Sequence, residues 1–262
     1  CWGGYIWQVS DNQKGALLSG PDYPDPNPLV FNGQGLPEVI RHSVLFSSEP
    51  LTLRGGEGLI MGVGKLQKME QDDPATPEPE DLTITKPVQW TIEQWENEII
   101  FSTQDSFEQW SYYLERHISL VDRTIKSTTL LKNKGEEILP LHWFAHPFFT
   151  YTDGFATCQF HNPISMKDNV GFHMSNGLLT LKKRFIGEDN HFEMMELPEK
   201  TNLDVTISHP LIKNIRFSTD FLLSMLPIWA GASTISIEPY LLTEIRPMEE
   251  KRWGLTYQFG TP

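Results

Sequence analysis

Cysteine is nearly absent from these 262 residues: there are two, Cys1 and Cys158. Two cysteines do not make a disulfide framework, and no Cys/His spacing fits a zinc site, so reduced thiols and a cytoplasmic location are expected. Basic residues are also few. Lys and Arg total 21 against 34 Asp and Glu, a net charge of −13 with no basic tract. Nucleic acid and anionic membrane surfaces both require clustered Lys and Arg, so neither is an expected partner. The excess charge serves solubility. No apolar run approaches the roughly 20 residues that span a bilayer. The longest, Phe221–Ala230, is interrupted by Pro227 and reads as a buried strand. Cys1 rather than Met in first place reads as removal of something upstream, by lipid-type processing or by trimming.

Long helical stripes are missing as well, and alternation with period two takes their place. Tyr112, Leu114, Arg116, Ile118 and Leu120 share one parity, against Tyr113, Glu115, His117 and Ser119. Short strands are expected at Thr91–Trp95, Glu98–Thr103, Thr124–Leu131, Leu178–Arg184, Asn202–Ser208, Ile212–Ser218, Thr234–Glu238 and Trp253–Phe259. Turn signals separate them: Asn133-Lys134-Gly135, Thr152-Asp153-Gly154, Asn176-Gly177 and His209-Pro210. Many short strands at such spacing mean an antiparallel sandwich or barrel. The acidic, proline-rich stretch Glu70–Asp81 is a solvated excursion rather than a linker, because strand-like sequence resumes on both sides. One all-β domain over 1–262 is expected. The glycine-rich stretch Arg54–Lys65 lacks GxxxxGK[ST] spacing and a βαβ context, so its glycines read as bulges or close backbone approaches.

Two residues stand out because each precedes a proline: His146, before Pro147-Phe148-Phe149, and Glu238, before Pro239-Tyr240. The following proline disfavours the α region and holds both extended, at strand ends. An imidazole and a carboxylate suffice for general acid-base catalysis near neutral pH. On spacing alone, a histidine among aromatics is a packed core or rim residue, and a glutamate before proline an exposed one. In a strand His142, Phe144 and His146 face one way and Trp143 the other. The two histidines then stand roughly 13 Å apart, which argues against a shared metal ion. By the same parity Thr234, Ser236 and Glu238 form a polar face that could line a cleft.

The segments Leu139–Phe149 and Leu223–Tyr240 resemble two signature regions of the aldose 1-epimerase (galactose mutarotase) family. His146-Pro147-Phe148-Phe149 is similar to its histidine strand end. Trp229 followed by Ile237-Glu238-Pro239-Tyr240 is similar to its late glutamate motif. Smaller echoes are Trp90-Thr91-Ile92, Tyr113-Leu114-Glu115-Arg116, Leu130–Gly135, and an opening hairpin from Gly3-Gly4-Tyr5-Ile6 to Gly15-Ala16-Leu17-Leu18. The resemblance implies a large twisted β-sandwich that interconverts α and β anomers of a hexose or related sugar, without metal or organic cofactor. It implies His146 as acid and Glu238 as base, with Arg41, Lys65, Phe148 and Tyr240 holding the sugar. Two departures accompany it. Met61 in Met61-Gly62-Val63-Gly64-Lys65 stands where the family carries a histidine, with Lys65 for its arginine, and Arg41 matches the family's upstream arginine poorly. A carbohydrate-binding or sugar-sensing protein of the same fold is the alternative.

Overall fold

The computed structural model describes residues 4–20, 35–40, 44–46, 57–68, 82–152 and 156–260. Strands there pair antiparallel, in keeping with the alternating apolar pattern, and the largest sheet has ten of them. Its order runs Phe172–Ser175, Leu178–Leu181, Thr157–Phe160, Asp204–His209, Lys213–Thr219, Glu250–Phe259, Thr124–Asn133, Trp110–Val121, Glu98–Phe107 and Thr91–Gln94. A five-stranded sheet, a three-stranded sheet and a four-stranded sheet complete the larger elements.

The long hairpin of Trp110–Val121 with Thr124–Asn133 shows how sequence becomes sheet. Tyr112, Leu114 and Arg116 are buried on the parity read from the sequence, while Leu120 is exposed where the hairpin outruns the core. Asn176 and Gly177 both take positive φ, 50° and 75°, as a tight hairpin turn requires. Asn133 uses its side chain twice: Oδ1 accepts from Gly135 N at 2.9 Å, and Nδ2 donates to Glu137 O and Ile245 O. The glycine-rich stretch folds as a hairpin of Glu57–Ile60 and Gly64–Lys68. A Cβ on Gly64 would lie 2.3 Å from Lys86 O, so close backbone approach explains that glycine. Residues 54–56 and the acidic stretch 70–81 lie outside the described residues.

One expectation needs correction. Of the apolar run 221–230, only Pro227–Ala230 is a strand, and Leu222 is exposed. Pro227 lacks the amide that would extend a ladder, so the strand starts there.

Two layers meet at an aromatic core. Trp143, from the three-stranded sheet, packs edge-on against Trp253 of the large sheet, with ring centroids 5.6 Å apart. Phe149, from the five-stranded sheet, contacts Phe217 and Tyr257, which stack at 4.6 Å on the large sheet. The result is a large antiparallel β-sandwich. Cys158 is free and buried within it.

Candidate active site

The two pre-proline residues meet because each occupies a passage between the same two small sheets. Leu139–Ala145 is the central strand of the three-stranded sheet, between Tyr240–Ile245 and Glu38–Ile40. The chain then crosses through His146-Pro147-Phe148 to Phe149–Thr150, an edge of the five-stranded sheet. Thr234–Ile237 lies in that five-stranded sheet, between Phe149–Thr150 and Pro227–Ala230. The chain returns through Glu238-Pro239 to Tyr240 in the three-stranded sheet. A proline ends a ladder because it has no amide to donate, so each passage begins where its proline falls.

Backbone bonds fix both passages. His146 N donates to Pro37 O at 2.9 Å and Phe148 N to Gly35 O at 2.8 Å. Glu238 N donates to Pro227 O at 3.0 Å, and Ala145 N reaches Pro239 O, tying the passages together. The side chains converge accordingly: His146 Nε2 lies 3.4 Å from Glu238 Oε1. The imidazole is 14% exposed and the carboxylate 6%, so the pair is sheltered but open on the imidazole side.

Ser236 is fully buried and places its Oγ 3.1 Å from His146 Nδ1. When the hydroxyl donates to Nδ1, the imidazole proton sits on Nε2, the nitrogen that faces Glu238. Thus the parity that set Thr234, Ser236 and Glu238 on one face gives a second function to that face. Thr234 bonds Phe149 O at 3.3 Å and holds the passage rather than the imidazole.

Aromatic rings close around the pair. Phe148 is buried, its ring 4.4 Å from the imidazole and tilted by 30°. Phe148 therefore packs against the imidazole and is 1% exposed. Trp229 is half-buried, 6.4 Å from both the His146 and Phe148 rings. Tyr240 is half-buried and stacks on Phe144 at 4.5 Å, and Phe144 is in turn 6.2 Å from His146. Trp143 faces the opposite side, into the core against Trp253 and Phe221, as strand parity required. His142 is exposed on the extended strand, four residues from His146, and the two do not share a site.

The other expected anchors divide. Lys65 is half-buried with its ammonium 6.0 Å from the Phe107 ring of the large sheet. Met61 is buried in the turn before Lys65, in the hydrophobic core. Gly62 N donates to Tyr112 Oη at 3.1 Å, and burial pushes that phenol well above its usual range. Arg41 lies outside the described residues.

Sequence reasoning missed a buried ion pair under the histidine passage. Glu38 follows Pro37, whose carbonyl holds the His146 amide. Its carboxylate is 3% exposed and pairs with the Arg116 guanidinium, 7% exposed, on the large sheet. Ser127 Oγ donates to Glu38 Oε1 at 2.6 Å, and Thr129 Oγ1 lies 3.5 Å from Oε2. Burial, and then the Glu38 charge, holds the Tyr257 hydroxyl neutral far above the usual range. The signal was in the sequence: Arg116 sits on the inward parity of its strand, and a buried guanidinium needs a buried acid.

No family model matches the sequence, and no curated protein is similar to it. Solved structures are similar in fold. A galactose mutarotase related enzyme from Lactobacillus acidophilus superposes over 99% of this chain and 92% of its own, with TM-score 0.63 at 11% identity. A galactose mutarotase-like protein from Lactobacillus casei covers 98% of this chain and 94% of its own, with TM-score 0.59 at 14% identity. An aldose epimerase homologue from C. elegans covers 99% and 94%, with TM-score 0.56 at 10% identity. The resemblance read from the two proline-marked motifs therefore extends through the whole architecture, and the chain has the galactose mutarotase-like fold.

Proposed function

We propose that the protein is an aldose 1-epimerase, interconverting the anomers of a hexose or related sugar by acid-base ring opening. The observation that carries this reading is the convergence of His146 Nε2 and Glu238 Oε1 at 3.4 Å, with Ser236 on the far ring nitrogen. In a pyranose the ring oxygen and the anomeric hydroxyl are bonded to one carbon. An acid and a base serving those two oxygens must therefore converge, unlike the carboxylates of glycosidases, which stand about 5–9.5 Å apart.

His146 gives its Nε2 proton to the ring oxygen as the bond from that oxygen to the anomeric carbon breaks. Glu238 takes the proton of the anomeric hydroxyl, whose electrons form the aldehyde carbonyl. The aldehyde rotates about its bond to the next carbon. Closure reverses each transfer: the chain hydroxyl returns its proton to His146, and Glu238 reprotonates the new anomeric oxygen. Ser236 holds the imidazole in one orientation through both halves. Tyr240 and Trp229, each half-buried beside the pair, offer ring faces to the sugar. Both catalytic groups must be poised near the working pH, and a sheltered site lets each tune the other.

Met61 favours a second reading. It is buried core where the resemblance expects a polar sugar-holding residue, which fits a protein that binds a sugar without turning it over. Calorimetric binding together with NMR exchange on glucose and galactose separates the two. Exchange above the uncatalysed rate supports the epimerase. Saturable binding without it supports the binding protein.

A further inference from the structure

The register of one short edge strand decides where His146 stands. Glu38–Ile40 pairs with Trp143–Ala145, with Glu38 opposite Ala145. The same register continues beyond the ladder, where His146 N donates to Pro37 O and Phe148 N to Gly35 O. In an antiparallel hydrogen-bonded pair each residue gives one bond and takes one. Pro37 has no amide to give, so His146 shares one bond with it where an ordinary pair shares two. The strand that supplies this bond is three residues long and lies at the edge of its sheet. Backbone pairing by itself is a weak hold on the histidine passage.

Residues directly opposite in antiparallel strands project from the same face. Ala145 and Trp143 face the core, so Glu38 does too, while Val39 shares the face of Phe144. From the large sheet the Arg116 guanidinium, Ser127 Oγ at 2.6 Å and Thr129 Oγ1 at 3.5 Å surround the Glu38 carboxylate. Arg116 and Thr129 are themselves opposite each other in register, so these donors form one fixed patch. A buried ion pair adds little net stability over apolar side chains of the same volume. It is directional, however. One register of residues 38–40 brings a carboxylate to Arg116, and a slip of one residue would turn Glu38 to the opposite face. The same slip would carry Pro37 O away from the His146 amide.

We propose that Glu38, paired with Arg116, is the positioning residue for the general acid. The pair fixes the register of residues 35–40 against the large sheet, and with it the place of Pro37 O under the His146 amide. His146 Nε2 is thereby kept facing Glu238. This rests on the reading of His146 as the acid. Glu38 lies on the core side of its strand and acts through the backbone.

Two measurements test this together: amide hydrogen exchange by NMR and anomer exchange on glucose. The proteins are wild type, Glu38→Leu/Arg116→Met, Ser127→Ala, and Leu179→Ala as a core control near the far end of the large sheet. In the double variant the His146 and Phe148 amides should lose protection about tenfold more than the amides of Lys213–Thr219. Its kcat should fall about tenfold while KM stays within about twofold. Ser127→Ala keeps the ion pair and removes one bond to Glu38, so it should show both effects at about threefold, even if the double variant fails to fold. Leu179→Ala should lower protection without singling out His146 and Phe148, and should keep kcat. Protection at His146 and Phe148 that merely follows the large sheet would overturn the proposal. So would a local loss of protection with kcat unchanged. A local loss in a protein whose wild type exchanges no anomers would uphold the register role and overturn the epimerase reading instead.

Discussion

Removing one partner of the Glu38–Arg116 pair should cost far more than removing both. The carboxylate is 3% exposed and the guanidinium 7%, so neither has water to fall back on. Breaking a buried pair by deleting one member costs about 3–5 kcal/mol, because the other charge is left uncompensated. At about 2 °C per kcal/mol for a chain of this size, Glu38→Leu or Arg116→Met should lower the melting temperature by about 6–10 °C. The double variant Glu38→Leu/Arg116→Met leaves no charge behind. It strands Ser127 Oγ, which donates to Glu38 at 2.6 Å, at about 1–3 kcal/mol. The double variant should therefore be at least as stable as either single one. Thermal and urea unfolding followed by circular dichroism read all four proteins in one series. Single substitutions costing under about 1 kcal/mol, or a double cost equal to the sum of the singles, would refute the reasoning. The pair also braces the site, since Glu38 follows the residue whose carbonyl holds the His146 amide.

Ser236→Ala should lower kcat for anomer exchange by about tenfold while KM changes less than about twofold, since it removes one buried hydrogen bond to Nδ1 and no sugar contact; exchange rates across a range of sugar concentrations check this. His209 is buried, its Nε2 2.7 Å from Leu17 O and its Nδ1 accepting from Leu211 N and Ile212 N. Burial holds its pKa below the ordinary value near 6.5, and a proton on Nδ1 would confront those two amides. Its contribution to stability is therefore complete above about pH 6.5 and lost as pH falls through the depressed folded value. Urea midpoints should drop between pH 7.5 and 5 in wild type and drop less in His209→Gln.

Much of the site was legible because proline and parity are local signals. Pro147 and Pro239 announced two strand ends, and alternation put Ser236 and Glu238 on one face before the partner of that face was known. The all-β reading followed from the same alternation, and the strand at 124–131 is one member of the ten-stranded sheet. What stayed hidden was pairing across the sandwich. No local rule says that the acid after Pro37 reaches the arginine at 116, or that the Phe148 ring is buried against the imidazole. Those outcomes depend on which sheets stack. The run 221–230 misled because its apolar composition is that of a buried strand, whereas Pro227 decides where the ladder can begin. Lys65 stands out in the sequence only by its place in a motif, whereas its contact with Phe107 depends on how the four-stranded and ten-stranded sheets meet.

The most direct test of the dyad is anomer exchange on glucose, measured by NMR exchange spectroscopy at constant protein concentration for wild type, Glu238→Gln and His146→Asn. Each variant keeps the size and most hydrogen bonds of the group it replaces and removes its capacity to move a proton. Wild type should exchange anomers well above the uncatalysed rate. Both variants should fall by at least about a hundredfold, the scale of one general acid or base, with melting temperatures close to wild type. Wild-type activity that persists unchanged in both variants would contradict the assignment of His146 and Glu238 as acid and base.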